Sequence, residues 1–168
     1  MKTALALGAL LGAVVLTGGG SAAAVAPCTA TQLTGTFRAI PGSAGAGSIS
    51  YRLRLANRSP RACSLSGYAG LRLLGRTGQP LPTKVTRDLQ GPPFRRVVVA
   101  PGKAARADAR FSPDVPGPGE PVSGTVCEPK AYRVRVTLPR DGTLVAPVSP
   151  PTPVCEHGAI LLRAFRAA

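Results

Sequence analysis

The chain has no tryptophan, one histidine, three tyrosines, four phenylalanines and only seven acidic residues in 168. Each shortage removes a class of function. Without tryptophan, and with most Tyr and Phe at inward positions of predicted strands, stacking recognition of single-stranded nucleic acid or of sugars lacks its platforms. The lone His157, beside Cys155 and Glu156, does not make a metal site, which needs three or four ligands. Adjacent residues on a strand diverge, and a disulfide-bonded Cys155 would not ligate. The scattered acids offer no pair at glycosidase spacing. No serine lies in Gly-x-Ser-x-Gly; Ser43 sits in Pro41-Gly42-Ser43-Ala44-Gly45. The glycines of 42–47 precede no Gly-Lys-Ser/Thr, so a phosphate loop is unsupported. The expectation is a protein without catalytic residues, metal or cofactor.

Long apolar runs are equally scarce. The one at Ala4–Leu16 follows Lys2 and precedes Ala22-Ala23-Ala24, the order of a secretory signal peptide with cleavage after Ala24. Residues 1–24 are thus expected to be a signal peptide and 25–168 a single secreted domain. A membrane-spanning helix needs ~20 apolar residues, and nothing after Ala24 supplies them. Pro27 before Cys28 argues against a lipid anchor.

What the chain does have is arginine: 17 Arg and 4 Lys against 7 acids, a formal charge of +14. Loss of Lys2 with the signal leaves 20 − 7 = +13. Such a domain attracts polyanions, including anionic envelope polymers.

It also has 18 prolines and 20 glycines, spaced between short apolar runs, and no helical window. Period-two alternation marks strands. Ile49, Tyr51, Leu53 and Leu55 alternate with Ser50, Arg52, Arg54 and Ala56. Ala105, Ala107, Ala109 and Phe111 alternate with Arg106, Asp108 and Arg110. Tyr132, Val134, Val136 and Leu138 alternate with Arg133, Arg135 and Thr137. Weaker strands are expected over 33–40, 68–75, 94–100 and 159–165. Arg76–Pro80 reads as a hairpin turn and Pro101-Gly102 as a tight turn. Leu81–Val85 reads as a loop, and Pro113–Pro121 and Ala146–Pro153 as proline-rich surface loops. The fold expected is all-β: an immunoglobulin-like, two-sheet antiparallel sandwich of about seven strands.

The four cysteines, Cys28, Cys63, Cys127 and Cys155, form an even set in an exported chain, which implies two disulfides. Three pairings are possible. Sequential loop closure favours Cys28–Cys63 and Cys127–Cys155.

The stretch Leu55-Ala56-Asn57-Arg58-Ser59-Pro60-Arg61-Ala62-Cys63-Ser64-Leu65-Ser66-Gly67-Tyr68, followed by Val97–Ala104 with its Ala100-Pro101-Gly102-Lys103-Ala104 turn, resembles a family of exported proteins of high-GC Gram-positive bacteria known as domain of unknown function 4232. The family pattern combines an early cysteine, a strand ending in Asn-x-Ser/Thr, a Cys-x-Leu-x-Gly-Tyr segment, a Pro-Gly turn and two late cysteines. It covers roughly Cys28 to Phe165. Ala69 stands where a proline often follows the Gly-Tyr pair. The resemblance implies an exported β-sandwich and brings no established activity. Read physically, Asn57 caps a turn through its own side chain, and Pro60 stops the strand from continuing.

Two binding roles follow. The first is an exported non-enzymatic binding or structural module, monomeric, at the cell surface or in the medium, with an unidentified protein partner. The alternative is an electrostatic binder of anionic envelope polymers through Arg52, Arg54, Arg133 and Arg135, outward residues of predicted strands. A specific nucleic-acid partner is not expected. If the strands bearing these arginines fall on different sheets, the patch is split.

Overall fold

In the computed structural model, which describes residues 24–91, 93–121 and 127–168, the two clearest alternations lie side by side at the centre of the sheet. Strands β1 (Leu33–Ala39), β2 (Ile49–Asn57) and β7 (Ala104–Phe111) run antiparallel, with Phe37 opposite Leu53 and Leu53 opposite Ala107. Inward go Tyr51, Leu53, Leu55, Ala105, Ala107, Ala109 and Phe111, all buried. The small alanines of β7 let the larger side chains of β2 fill the interior beside them, as close packing requires. Phe37, Tyr51 and Phe111 stack at centroid separations of 5.3 and 5.2 Å. The buried Tyr51 hydroxyl donates to the Pro150 carbonyl at 2.8 Å, which satisfies its polar tip. Burial raises its pKa.

The remaining strands are β3 (Cys63–Leu65), β4 (Gly70–Leu74), β5 (Lys84–Arg87), β6 (Val97–Val99), β8 (Ala131–Thr137), β9 (Thr143–Thr152), β10 (Ala159–Leu162) and β11 (Arg166–Ala167). The main sheet runs β4-β8-β9-β1-β2-β7-β10-β5, with β11 beside β7, and β3 pairs with β6 separately. Its two edge strands, β4 and β5, are successive in the chain and joined through residues 75–83 alone. So short a connection brings the edges together, and the sheet is rolled almost into a barrel. This differs from the sandwich expected: the described residues form eleven strands in place of about seven, nine of them in one nearly closed sheet and two in a small separate one. The pairing is also mixed, since β1–β9 and β5–β10 are parallel.

Strand β9 is the main departure. Of residues 146–153, expected as a loop, 146–152 form most of the longest strand, which pairs with β8 over 143–147 and again at Thr152, and with β1 at Val148 and Ser149. Ala146, Val148 and Thr152 are buried while Pro147, Ser149 and Pro151 face outward. A proline lacks only its own amide donor, so a strand tolerates one where that donor has no partner to serve. Leu81–Val85 likewise ends in a strand, since β5 begins at Lys84. Tyr132 is also displaced: a register irregularity between Ala131 and Arg133 turns Ala131 inward and leaves Tyr132 half-buried. The Arg76 guanidinium covers the Tyr132 ring at 4.2 Å.

Cys28 is bonded to Cys63 and Cys127 to Cys155, with Cα separations of 4.7 and 5.5 Å. The first bond fastens the entering chain, whose Cys28 amide also donates to the Ser64 carbonyl, beside β3. The signal-peptide reading falls on residues of which only Ala24 is described. Among the described residues no helix is long and apolar enough to cross a membrane.

Candidate anion-binding face

The outward residues of β1, β2, β7 and β11 form a continuous arginine face. Register places Arg38 opposite Arg52, and Arg52 opposite Asp108. One step along, Thr36 lies opposite Arg54, Arg54 opposite Arg106, and Arg106 opposite Arg166. Arg110, opposite Ser50, completes the set. Six arginines thus share this face with Asp108. Cross-strand neighbours stand about 4.5–5.5 Å apart at Cβ, and like charges directly opposite destabilise a sheet. Three such pairs occur here: Arg38–Arg52, Arg54–Arg106 and Arg106–Arg166.

Asp108 relieves one part of this repulsion. It accepts hydrogen bonds from Arg52 Nε at 2.7 Å, Arg52 Nη2 at 3.1 Å and Arg166 Nη2 at 2.7 Å. Burial pushes the Asp108 carboxyl up, but the hydrogen bonds and charges of the two arginines outweigh it and hold the pKa below the usual value. The Arg54–Arg106–Arg166 row has no acid at its own register positions, and only Arg166 reaches one, Asp108. Within it the Nε atoms of Arg106 and Arg166 are buried without a hydrogen-bond partner among the described residues. A buried donor left unpaired is costly and calls for an acceptor. Beside the row, Thr36, Arg38, Arg52 and Arg54 line a shallow depression of about 160 Å³.

The four arginines expected to form one patch do not lie together. Arg52 and Arg54 lie on β2, Arg133 and Arg135 on β8, with β9 and β1 between them. Arg135 faces Arg72 across β4–β8, and Arg133 donates to the Arg76 carbonyl at 2.8 Å. The companions of Arg52 and Arg54 are instead Arg38, Arg106 and Arg166. Of these, Arg106 lay in a recognised alternation, but only non-local strand pairing brings it beside Arg54.

His157 does not stand alone either. Glu120, Glu128 and His157 bring ligand atoms within 4.8 Å of one another. The Glu120 carboxylate, however, is already the acceptor for the backbone amides of Gly117, Glu156 and His157. Glu156, His157 and Gly158 take left-handed φ values of 56°, 56° and 77°, which point two of those amides at it. Burial raises the Glu120 pKa, and the three amides more than reverse this. Glu120 is thus an internal anion that ties the 113–121 loop to the turn after Cys155.

Comparison with known proteins gives one finding. A family model described as Domain of unknown function (DUF4232) matches residues 28–165. No curated protein and no solved structure matches the chain.

Proposed function

The chain belongs to this family of unknown function, and from that premise we propose that it is an exported, non-enzymatic binding module whose β1–β2–β7–β11 face holds anionic polymers of the cell envelope. The observation that carries the reading is the Arg54–Arg106–Arg166 row: three cations side by side, of which only Arg166 meets an acid, Asp108, which it shares with Arg52. Guanidinium groups match phosphate and carboxylate oxygens geometrically, and the face presents several at strand spacing. An extended polyanion laid across the row would meet the outward guanidinium groups and relieve the repulsion between them. The disulfides suit an oxidising compartment outside the cytoplasm.

The test is retention of the oxidised domain on an immobilised polyphosphate at about 0.05 and 0.5 M salt. Charge-driven binding is expected to collapse across that range, because each neutralised site releases a counterion. Arg38 and Arg54 are exposed, so reversing both to Glu should leave the fold intact. It should lower the slope of log affinity against log salt by about two or more. Reversal of Arg133 and Arg135 should change retention less, as they lie elsewhere on the sheet. Retention that ignores salt, or that depends equally on both pairs, would overturn this face as the binding site. Salt-resistant retention would favour a shaped protein partner instead.

A further inference from the structure

A cavity of about 300 Å³ lies between residues 88–91 and 93–97 on one side and the C-terminal residues on the other, outside the Arg54–Arg106–Arg166 row except at its Arg166 end. Its walls include Tyr68, Pro93, Phe94, Val97 and Phe165. Tyr68 and Phe94 meet edge to face with centroids 6.3 Å apart. Phe165 is buried, and its backbone amide donates a hydrogen bond to the Gly67 carbonyl at 2.9 Å. The Tyr68 hydroxyl is held by the Asp88 carbonyl at 3.1 Å, so that ring is also positioned. Phe94, by contrast, is 58% exposed. Phe94 thus presents an apolar ring at the mouth of a preformed apolar hollow, the usual lining of a small-molecule site.

The charges at the rim say what kind of ligand. Asp88 is matched by Arg163, whose Nε lies 2.9 Å from Oδ2. Arg166 is matched in part by Asp108. Arg95 also lines the cavity and has no ion pair among the described residues. The rim therefore carries a net positive charge beside an aromatic pocket, with Arg95 its fully unpaired cation among the described residues. The volume stands at the small end of the range for small-molecule sites. We propose that this cavity binds a small amphipathic anion, with an aromatic or branched apolar body seated against Tyr68, Phe94 and Phe165 and its acid group on Arg95. The site shares Arg166 with the polymer-binding face and is otherwise lined by other residues.

The experiment is titration of the isotope-labelled, oxidised domain with 2-naphthoate and with its uncharged counterpart, 2-naphthalenemethanol, followed by amide chemical shifts. Saturable shifts are expected at Tyr68, Phe94, Val97 and Phe165, with the acid binding about tenfold more tightly than the alcohol, the scale of one charged hydrogen bond. Arg95→Gln should weaken the acid about tenfold and leave the alcohol unchanged. Phe94→Ala, at an exposed position, should weaken both. Reversal of Arg38 and Arg54 should leave both titrations unchanged, whatever it does to polymer retention. Absence of saturable shifts in the cavity would overturn the proposal. So would shifts confined to β2 and β7, or equal affinity for acid and alcohol, the last pointing to an apolar contact for a protein partner.

Discussion

Asn57→Ala should destabilise the oxidised domain by about 3 kcal/mol, read as a lowered midpoint in urea with an unchanged slope. Asn57 is 1% exposed, and its carboxamide is fully used. Nδ2 donates to the Arg61 and Val99 carbonyls at 2.7 and 2.9 Å. Oδ1 accepts from the Ser59 amide at 2.9 Å and the Ser59 hydroxyl at 2.8 Å. The residue therefore binds the end of β2 to its own turn and to β6, while its backbone exchanges bonds with Gly102 and Lys103. Truncation takes a donor from the buried Val99 carbonyl and the acceptor from the half-buried Ser59 amide, each loss worth about 1–3 kcal/mol. Ser59→Ala, which keeps the carboxamide, should cost under about 1.5 kcal/mol, one ordinary hydrogen bond. An Asn57→Ala midpoint no lower than that of Ser59→Ala would show that the turn closes without the side chain.

Asp108→Asn should move stability and binding in opposite directions. The side chain is 13% exposed and holds two arginines. Loss of its charge should cost about 2 kcal/mol of stability, the scale of charged hydrogen bonds, because Arg52 and Arg166 then face their arginine neighbours uncompensated. The same change adds one positive charge to the face, so retention on immobilised polyphosphate at low salt should rise. A variant that merely damaged the fold would lose both. The pH dependence separates the cause further. A carboxyl whose pKa is depressed in the folded state contributes stability above its unfolded value, near 3.9, and loses it as pH falls through the folded value. The gap between wild type and Asp108→Asn should accordingly be full at neutral pH and close progressively below about pH 4. A gap that persists unchanged to pH 2 would mean that shape, not charge, sustains the difference.

Much of the fold is legible along the chain. The alternations of β2 and β7 mark their buried faces residue by residue, because period two leaves one choice of inward side. The Pro101-Gly102 turn is legible too: Gly102 has φ 73° and the Lys103 amide returns to the Ala100 carbonyl at 3.0 Å. Strand β9 is not, because Pro147, Pro150 and Pro151 read as breakers and only the neighbouring strands show that their missing donors are unneeded. Tyr132 is misread for a related reason: a bulge shifts the alternation by one, and no local signal announces it.

The arginine face divides in the same way. The sequence by itself determined a strongly basic, cysteine-paired, all-β chain and the outward direction of Arg52, Arg54, Arg106 and Arg110, since these follow from composition and from alternation within one strand. Which arginines are neighbours was decided only by the tertiary structure. Strand order separates Arg54 from Arg133 and Arg135, and register sets it against Arg106 and, beyond it, Arg166 near the other end of the chain. Pairing between strands distant in sequence depends on how the whole sheet rolls to bury its apolar side, and no single segment carries that information.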